Sequence, residues 1–358
     1  MIVSILTTKE DFYAIKNDWD ALYKLSAIRN PFLSFAWVST ALELFFNDNE
    51  VRILLIRSNQ KELLAACPLI INKRKIAFVN VKVLQHLCSK ASDFSDLLVK
   101  EGCSQRDIIK KMAESLSKLE YDLIHLDNLS SGSRHAKLLL KFINEGEFNT
   151  GTYINVVNPI LEYKIKPYEN KKDIKDIERR LRKLRDVSEV EFCIEHKIEK
   201  DKWDELVKYH NYSHPNYGFN STSYQEFYDL LLSNDDFTEG SVDFSYMLID
   251  GQMVAGHFGF KDEVRGIFYY YVPSYDIRFI KLGVGKMLLN ELINHYKNKG
   301  FKKFDFLRGA ESYKKTWMTD ELQNYSLMGC KRQSKFKAKA IAFIWLLAKQ
   351  YNSFFRNK

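Results

Sequence analysis

An order of elements that runs twice along the chain constrains its fold most. Trp19-Asp20-Ala21-Leu22 recurs as Trp203-Asp204-Glu205-Leu206. Around the first copy, Phe12, Ile15, Trp19, Leu22 and Tyr23 fall at helical spacing over residues 11–26. After the break at Asn30-Pro31 a second amphipathic run covers residues 35–46. Three strand-rich segments follow at residues 51–56, 63–71 and 75–84, with the polar turn Ser58-Asn59-Gln60 between the first two. A short strand (96–99), a helix (104–119), a strand (123–126), a helix (134–145) and a strand near 153–157 complete the first half. In the second half, the Trp203 helix is followed by a helix at 224–232 and strands at 246–249, 254–260 and 267–272. The turn Asn59-Gln60-Lys61 corresponds to Asp250-Gly251-Gln252, so the offset drifts only from 184 to about 190 residues. This predicts a structural duplication of the α/β (α+β) class. Each half would be a mixed, mostly antiparallel sheet flanked by helices, with domains at 1–165 and 166–358. A length of 358 residues suits two domains at about 150 residues each.

Composition narrows the function classes. With 46% hydrophobic and 28% charged residues the chain has the balance of a folded globular protein. The formal charge of +8 suits an anionic small molecule, a nucleic acid or an acidic membrane surface without choosing among them. Five cysteines, Cys67, Cys88, Cys103, Cys193 and Cys330, form no C-x-x-C pair, which argues against a zinc ribbon, a thioredoxin-type motif or a disulfide framework. The apolar run of residues 1–7 is interrupted by Lys9, Glu10 and Asp11, too short for a signal peptide, and a cytoplasmic protein is expected. The pair His210 and His214 stops at Pro215 and lacks a helix that would carry a metal site further. A basic helix at residues 171–186 contains Arg179, Arg180, Arg182, Lys183 and Arg185, laced with Asp173, Asp176 and Glu178. It reads as a solvated face or as a phosphate contact. Nucleic acid is not expected, because a charge run gives affinity without identity.

The most informative segment is Arg278-Phe279-Ile280-Lys281-Leu282-Gly283-Val284-Gly285-Lys286, which opens a helix running to about Lys299. Gly283 and Gly285 let the backbone bend and a ligand come close. The amides of a first helical turn favour an anion, and Lys281 and Lys286 add charge. The spacing is not that of a Walker loop. Upstream stands the aromatic strand Phe268-Tyr269-Tyr270-Tyr271-Val272-Pro273; downstream, Phe304-Asp305-Phe306-Leu307-Arg308-Gly309 runs into a polar loop with Glu311, Tyr313 and Lys314. A phosphate-tailed cofactor can lie across such strand ends.

At these residues, together with Trp317 and the basic helix, the sequence resembles the cellulose-biosynthesis-type acetyltransferases of the GNAT superfamily, firmly over residues 171–329 and architecturally over the first 165. The resemblance implies tandem GNAT-like domains, as in peptidoglycan peptidyl transferases and the nucleotide-sugar N-acyltransferase of the anthrose pathway. It implies acyl-CoA as co-substrate, bound by Tyr270, Tyr271, Val272, Arg278, Lys281, Gly283, Val284, Gly285 and Lys286, and an amine acceptor. The family often carries Arg or Gln ahead of the glycines; here Arg278 and Lys281 are offset.

Direct attack of an amine on a thioester needs a proton acceptor and a donor for the carbonyl oxygen. In the first half, Gln85-His86-Leu87-Cys88-Ser89-Lys90-Ala91-Ser92-Asp93-Phe94-Ser95-Asp96 is a polar loop between strands. Its carboxylates either cap a turn or bind and deprotonate the acceptor. Asp93 is favoured as the base, with Ser92 or His86 positioning it, and Asp96 as a substrate contact. In the second half Asp305 is either a buried carboxylate holding Arg308 or a site residue, and Tyr313 and Lys314 are positions to test for substrate binding. His257 reads as a satisfied core histidine. The segment 335–358 reads as a helix packed on the body or on another subunit, or as interfacial membrane contact. The function expected is N-acyl transfer from acyl-CoA to an amino sugar, nucleotide-linked, in surface-polysaccharide assembly. An aminoacyl-tRNA-dependent peptidyl transferase and a non-catalytic binding protein of the same fold are the alternatives.

Overall fold

The computed structural model describes residues 1–47, 50–76, 78–164, 171–215 and 221–356. Two compact units divide the chain: Met1–Val157 with Leu322–Lys358, and Asn158–Glu321.

The first unit begins with β1 (Ile2–Leu6), α1 (Lys9–Tyr13), α2 (Lys16–Leu25) and α3 (Phe35–Phe45). The single helix expected over 11–26 is broken at Ala14-Ile15, and Trp19 of α2 is buried with its indole N–H donated to the Leu33 carbonyl. The strands are β2 (Ile53–Arg57), β3 (Leu63–Cys67), β4 (Leu69–Ile76), β5 (Val79–His86) and β6 (Leu98–Val99). Pro68, which lacks an N–H, splits the expected strand 63–71, and the two pieces join different sheets. Then come α4 (Gln105–Leu116), β7 (Leu123–Ser130), α5 (Arg134–Glu145) and β8 (Phe148–Glu162), whose end belongs to the second unit. A small antiparallel sheet runs β1-β2-β3-β6. The apolar faces of α4 (Ile108, Ile109, Met112, Leu116) and α5 (Leu139, Phe142, Ile143) share a core with Leu54, Ile56, Leu84, Ile124 and Leu126.

The second unit contains α6 (Lys171–Arg185), β9 (Val190–Cys193), α7 (Lys200–Ser213), α8 (Thr222–Leu232), α9 (Asp235–Ser241), β10 (Val242–Ile249), β11 (Gln252–Asp262), β12 (Ile267–Tyr275), α10 (Val284–Asn298) and β13 (Lys303–Asp305). Its strand order is β8-β13-β12-β11-β10-β9, antiparallel except for the β12–β13 pair. Met287, Leu288, Leu292, Ile293 and Tyr296 of α10 pack with Phe268, Tyr270, Val254 and Ile177.

The chain then forms β14 (Asp320–Lys331) and α11 (Phe336–Arg356). From Leu322 onward these lie in the first unit, not in the second half as expected. The reason is pairing: Asn324–Gly329 of β14 run antiparallel to β7, and Ala338, Ile341 and Ala342 of α11 cover Val81, Val83 and Leu123. The expected boundary at 165/166 falls outside the described residues. β1, α9 and β14 had no counterpart in the sequence reading.

The duplication is visible in the ladders. In the first unit β5 joins β7 in parallel for three pairs only, Val83, Leu84 and Gln85 with Leu123, Ile124 and His125. In the second, β12 joins β13 in parallel for three pairs, Ile267, Phe268 and Tyr269 with Lys303, Phe304 and Asp305. Val83 and Ile267 are separated by the same 184 residues as Trp19 and Trp203.

Candidate functional site

In the second unit the strands part after Tyr269. β13 ends at Asp305 and the chain turns away through Leu307, whose φ is +56°. Residues 270–275 of β12 therefore have no β13 residue opposite them. The Tyr271 amide is not part of this open edge, because its N–H donates to His257 Nε2 at 3.2 Å on the β11 side. By alternation from Tyr269, the N–H and C=O of Tyr270 face the open side, but the bulge resets the pattern: Val272 pairs with Phe258 in the register in which Asp276 donates to the Val254 carbonyl, so Val272 turns to β11. Of the three β12 residues expected to meet the cofactor, Tyr270 lies on the open edge, Tyr271 has its amide committed, and Val272 faces β11.

Behind this edge stands a buried network. His257 interrupts the β11–β12 ladder at a bulge, where its ring lies against Gly259 and takes the place of a backbone acceptor. Its Nδ1 lies 3.0 Å from Asp243 Oδ2, and Tyr296 donates to Asp243 Oδ1 at 2.7 Å. Burial pushes the His257 pKa down, so the ring is neutral, with Nδ1–H donated to Asp243 and Nε2 accepting from Tyr271. Its ring also stacks on Tyr270 at 4.4 Å. The histidine is a satisfied core residue.

At the far end of β12, Asp276 caps a 3-10 turn, Ile277–Leu282, by accepting from the Arg278 amide. Gly283 follows with φ +80°, a left-handed conformation in which glycine is unstrained. Its carbonyl accepts from the amides of Lys286 and Met287, and its own N–H goes to Ile280. The amides of Val284 and Gly285 are left at the helix start, among the described residues without an intrahelical acceptor. A Cβ on Gly283 would meet nothing within 4 Å, and one on Gly285 would press on the Tyr275 ring at 3.1 Å. The turn is therefore an open cradle with two outward amides at the positive end of a 15-residue helix, geometry suited to an anion. Lys281 and Lys286 are exposed beside it. Arg278 is exposed but has its guanidinium on Asp276, which holds that carboxyl below its usual range. One link was not foreseen: Arg180 of α6 donates to the Lys281 carbonyl at 3.4 Å, tying the basic helix to the glycine turn.

Three further expectations change. Asp305 is buried but pairs with Lys303 at 2.9 Å and accepts from the Leu307 amide, and it does not hold Arg308. Arg308 is exposed. The Lys314 ammonium is buried against the Arg308 and Gly309 carbonyls and Glu311, so it fastens its own loop and is not offered to a substrate. Tyr313 is half-buried, and burial raises its phenol well above the ordinary value, keeping it protonated.

In the first unit the structure gathers His86, Ser92, Asp93 and Asp96 around one loop, all buried. Among the described residues, His86 Nε2 and the Ser95 hydroxyl are buried without a hydrogen-bond partner. Burial lowers the His86 pKa to about 4, so this ring is a neutral imidazole. Burial raises Asp96 to about 7, against hydrogen bonds from Ser133 and Leu97 that pull the other way. Asn side chains hold the loop: Asn128 donates to the Ser92 carbonyl at 3.4 Å, and Asn324 donates to the Asp93 carbonyl at 3.0 Å. Asn155 donates in turn to the Asn128 side chain at 2.7 Å. Asn128 sits at φ +58° at a bulge of β7, a left-handed geometry that asparagine tolerates. Sequence reading missed these asparagines. The signal for one was Asp127-Asn128 inside a strand, two residue types that strands disfavour.

Residues 171–315 match the family described as the acetyltransferase (GNAT) domain. The match lies in the second unit and supports an acyl-transferring enzyme, and the glycine turn, the parted strands and the basic α6 all lie within it. No curated protein sequence matches the chain. Solved structures show the fold over most of its length. FemX is similar at 10% identity and TM-score 0.58, covering 93% of this chain and 98% of that one. The C-terminal DUF2156 domain of a protein described as a lysylphosphatidylglycerol synthetase, from Agrobacterium fabrum, is similar at 9% identity and TM-score 0.57, covering 92% and 95%. L-PGS from Bacillus licheniformis is similar at 12% identity and TM-score 0.56, covering 91% and 95%. Among the described residues no helix is long and apolar enough to cross a membrane.

Proposed function

We propose that the chain is an N-acyltransferase that moves an acyl group from acyl-CoA to the amino group of an amino sugar, nucleotide-linked, in bacterial surface-polysaccharide biosynthesis. The observation that carries this reading is the open strand edge beyond Tyr269 leading to the Gly283–Gly285 turn, inside the segment that matches the GNAT domain. The amides of Val284 and Gly285, with Lys281 and Lys286, would take the pyrophosphate. The open edge of β12 beyond Tyr269, beginning with the Tyr270 amide and carbonyl, would hold the pantetheine arm by the hydrogen bonds a strand otherwise makes to its neighbour.

The reaction joins the amine nitrogen to the thioester carbonyl carbon and breaks the C–S bond. The ammonium proton passes to a base and the thiolate takes a proton from an acid. Tyr313, a phenol held neutral beyond the end of β13, is suited to be that acid. The base is proposed among Asp93, with Ser92 and His86 positioning it, and Asp96, whose proton affinity near neutrality suits transfer in either direction. Holding the two substrates in contact would supply much of the acceleration.

The test is incubation with acetyl-CoA and a panel of free and nucleotide-linked amino sugars, with free thiol monitored. Thiol release that depends on the amine supports the reading, and none with any amine overturns it. Calorimetry with CoA alone separates a silent enzyme from a fold that has lost its donor site. The run of exposed arginines on α6 favours a second reading, in which an aminoacyl-tRNA is the donor and these arginines meet RNA; tRNA retained through purification would select it.

A further inference from the structure

The C-terminal helix α11 buries one side and leaves an equally apolar side in water. Its inner face, Ala338, Ile341, Ala342 and the half-buried Trp345, packs on Val81, Val83, Leu123 and Cys330, with Trp345 against His125. Its outer face carries Phe336, Phe343, Ile344, Leu347 and Tyr351, each between 48% and 86% exposed. Phe336, Phe343, Leu347 and Tyr351 recur at seven and four residues, so they form one stripe along the helix. Lys337 and Lys339 fall on its two borders at helical spacing, where their stems can lie along apolar surface while the ammonium groups reach outward.

Charge says what covers this stripe. Eight of the 54 basic residues and none of the 46 acidic ones lie in residues 331–358, so the whole excess of +8 resides there and the remainder of the chain is balanced. A second copy of the chain docked stripe to stripe would bring two such cationic segments together with no carboxylate from either helix between them. A surface of anionic lipid complements both features, taking the aromatic and aliphatic side chains below its headgroups and the lysines at their level. The helix is not apolar enough to span a bilayer, so it would lie in the plane of the interface.

We infer that α11 docks the protein on an anionic phospholipid membrane surface through Phe336, Phe343, Leu347 and Tyr351 with Lys337 and Lys339. This inference stands apart from the acyltransferase reading and survives its failure.

The experiment is co-sedimentation of the full chain with vesicles of phosphatidylcholine alone and of phosphatidylcholine with one quarter phosphatidylglycerol, at low and high salt. At least tenfold more protein should bind the anionic vesicles, and high salt should reduce that binding. The double variant Phe343→Ser, Leu347→Ser should lose about tenfold at low salt, which separates insertion of the stripe from simple electrostatic adsorption. The double variant Lys337→Glu, Lys339→Glu should lose the preference for anionic vesicles. Both variants change exposed or border residues, so their circular dichroism and thermal midpoints should match the parent. Equal binding to both vesicles, no binding, or binding untouched by the serine variant overturns the inference. A dimer in solution that the serine variant converts to monomer also overturns it, by showing that a second copy covers the stripe.

Discussion

Asp96 and His257 are both buried, and what decides their roles is whether burial is answered by a partner. His257 is answered on both nitrogens, by Asp243 and by the Tyr271 amide. Removing its ring in His257→Ala would leave Asp243 without that partner and an unbonded amide inside the core. The expected cost is about 3–5 kcal/mol, read from the denaturant midpoint. Asp96 is answered less completely, and burial lifts its carboxyl from 3.8 to about 7. The folded chain then holds a proton there that the unfolded chain releases near pH 4, so the group's contribution to stability falls as pH rises from about 4 to about 7. Asp96→Asn should therefore gain stability relative to the parent above pH 7 and show little difference near pH 4, checked by thermal unfolding at both. If Asp96 is also the base, acyl transfer in the parent should rise with pH through an inflection near 7 that the Asn variant lacks. Tyr313→Phe should lower kcat at least tenfold with little change in KM for acyl-CoA, since it removes a proton and not a contact.

At the scale of elements, the same strand–helix–strand unit has two outcomes. After β12 the chain makes a short turn, an open glycine cradle and α10, whereas after β5 it makes a 3-10 turn at Leu87–Lys90 and a buried polar loop before β6. Glycine was legible in the sequence as permission to bend, and the turn at Gly283 uses it at φ +80°. Gly283→Ala should cost about 1 kcal/mol for the left-handed backbone although its Cβ has space. Gly285→Val should do more to binding than to folding: by pushing on Tyr275 and crowding the outward amides, it should weaken CoA at least tenfold by calorimetry. The strands part only after Tyr269, because Ile267, Phe268 and Tyr269 pair with β13. Such register depends on where a partner strand ends, which local pattern does not record. The commitment of Arg278 to Asp276 and of Lys314 to its own loop was likewise hidden, since a sequence shows a charge and not its counter-charge.

At the scale of the whole chain, the tail returns to the first unit, which predicts an asymmetry between the halves. A chain ending at Glu321 would leave β7 without β14 and uncover Val81, Val83 and Leu123. Calorimetry of that truncation should show the unfolding transition of the first unit lost or lowered by more than ten degrees, and that of the second retained. The sequence by itself determined the class of fold, the doubling of the α/β order through Trp19 and Trp203, and the place of the glycine turn, because periodicity, turn chemistry and glycine freedom are local properties. Only the tertiary structure decided that β14 and α11 close the first unit, that Asp305 answers Lys303, and that three asparagines hold the Asp93 loop. Those outcomes join residues tens to hundreds of positions apart, and the energy that selects them, burial with every polar group answered, exists only once the chain has packed.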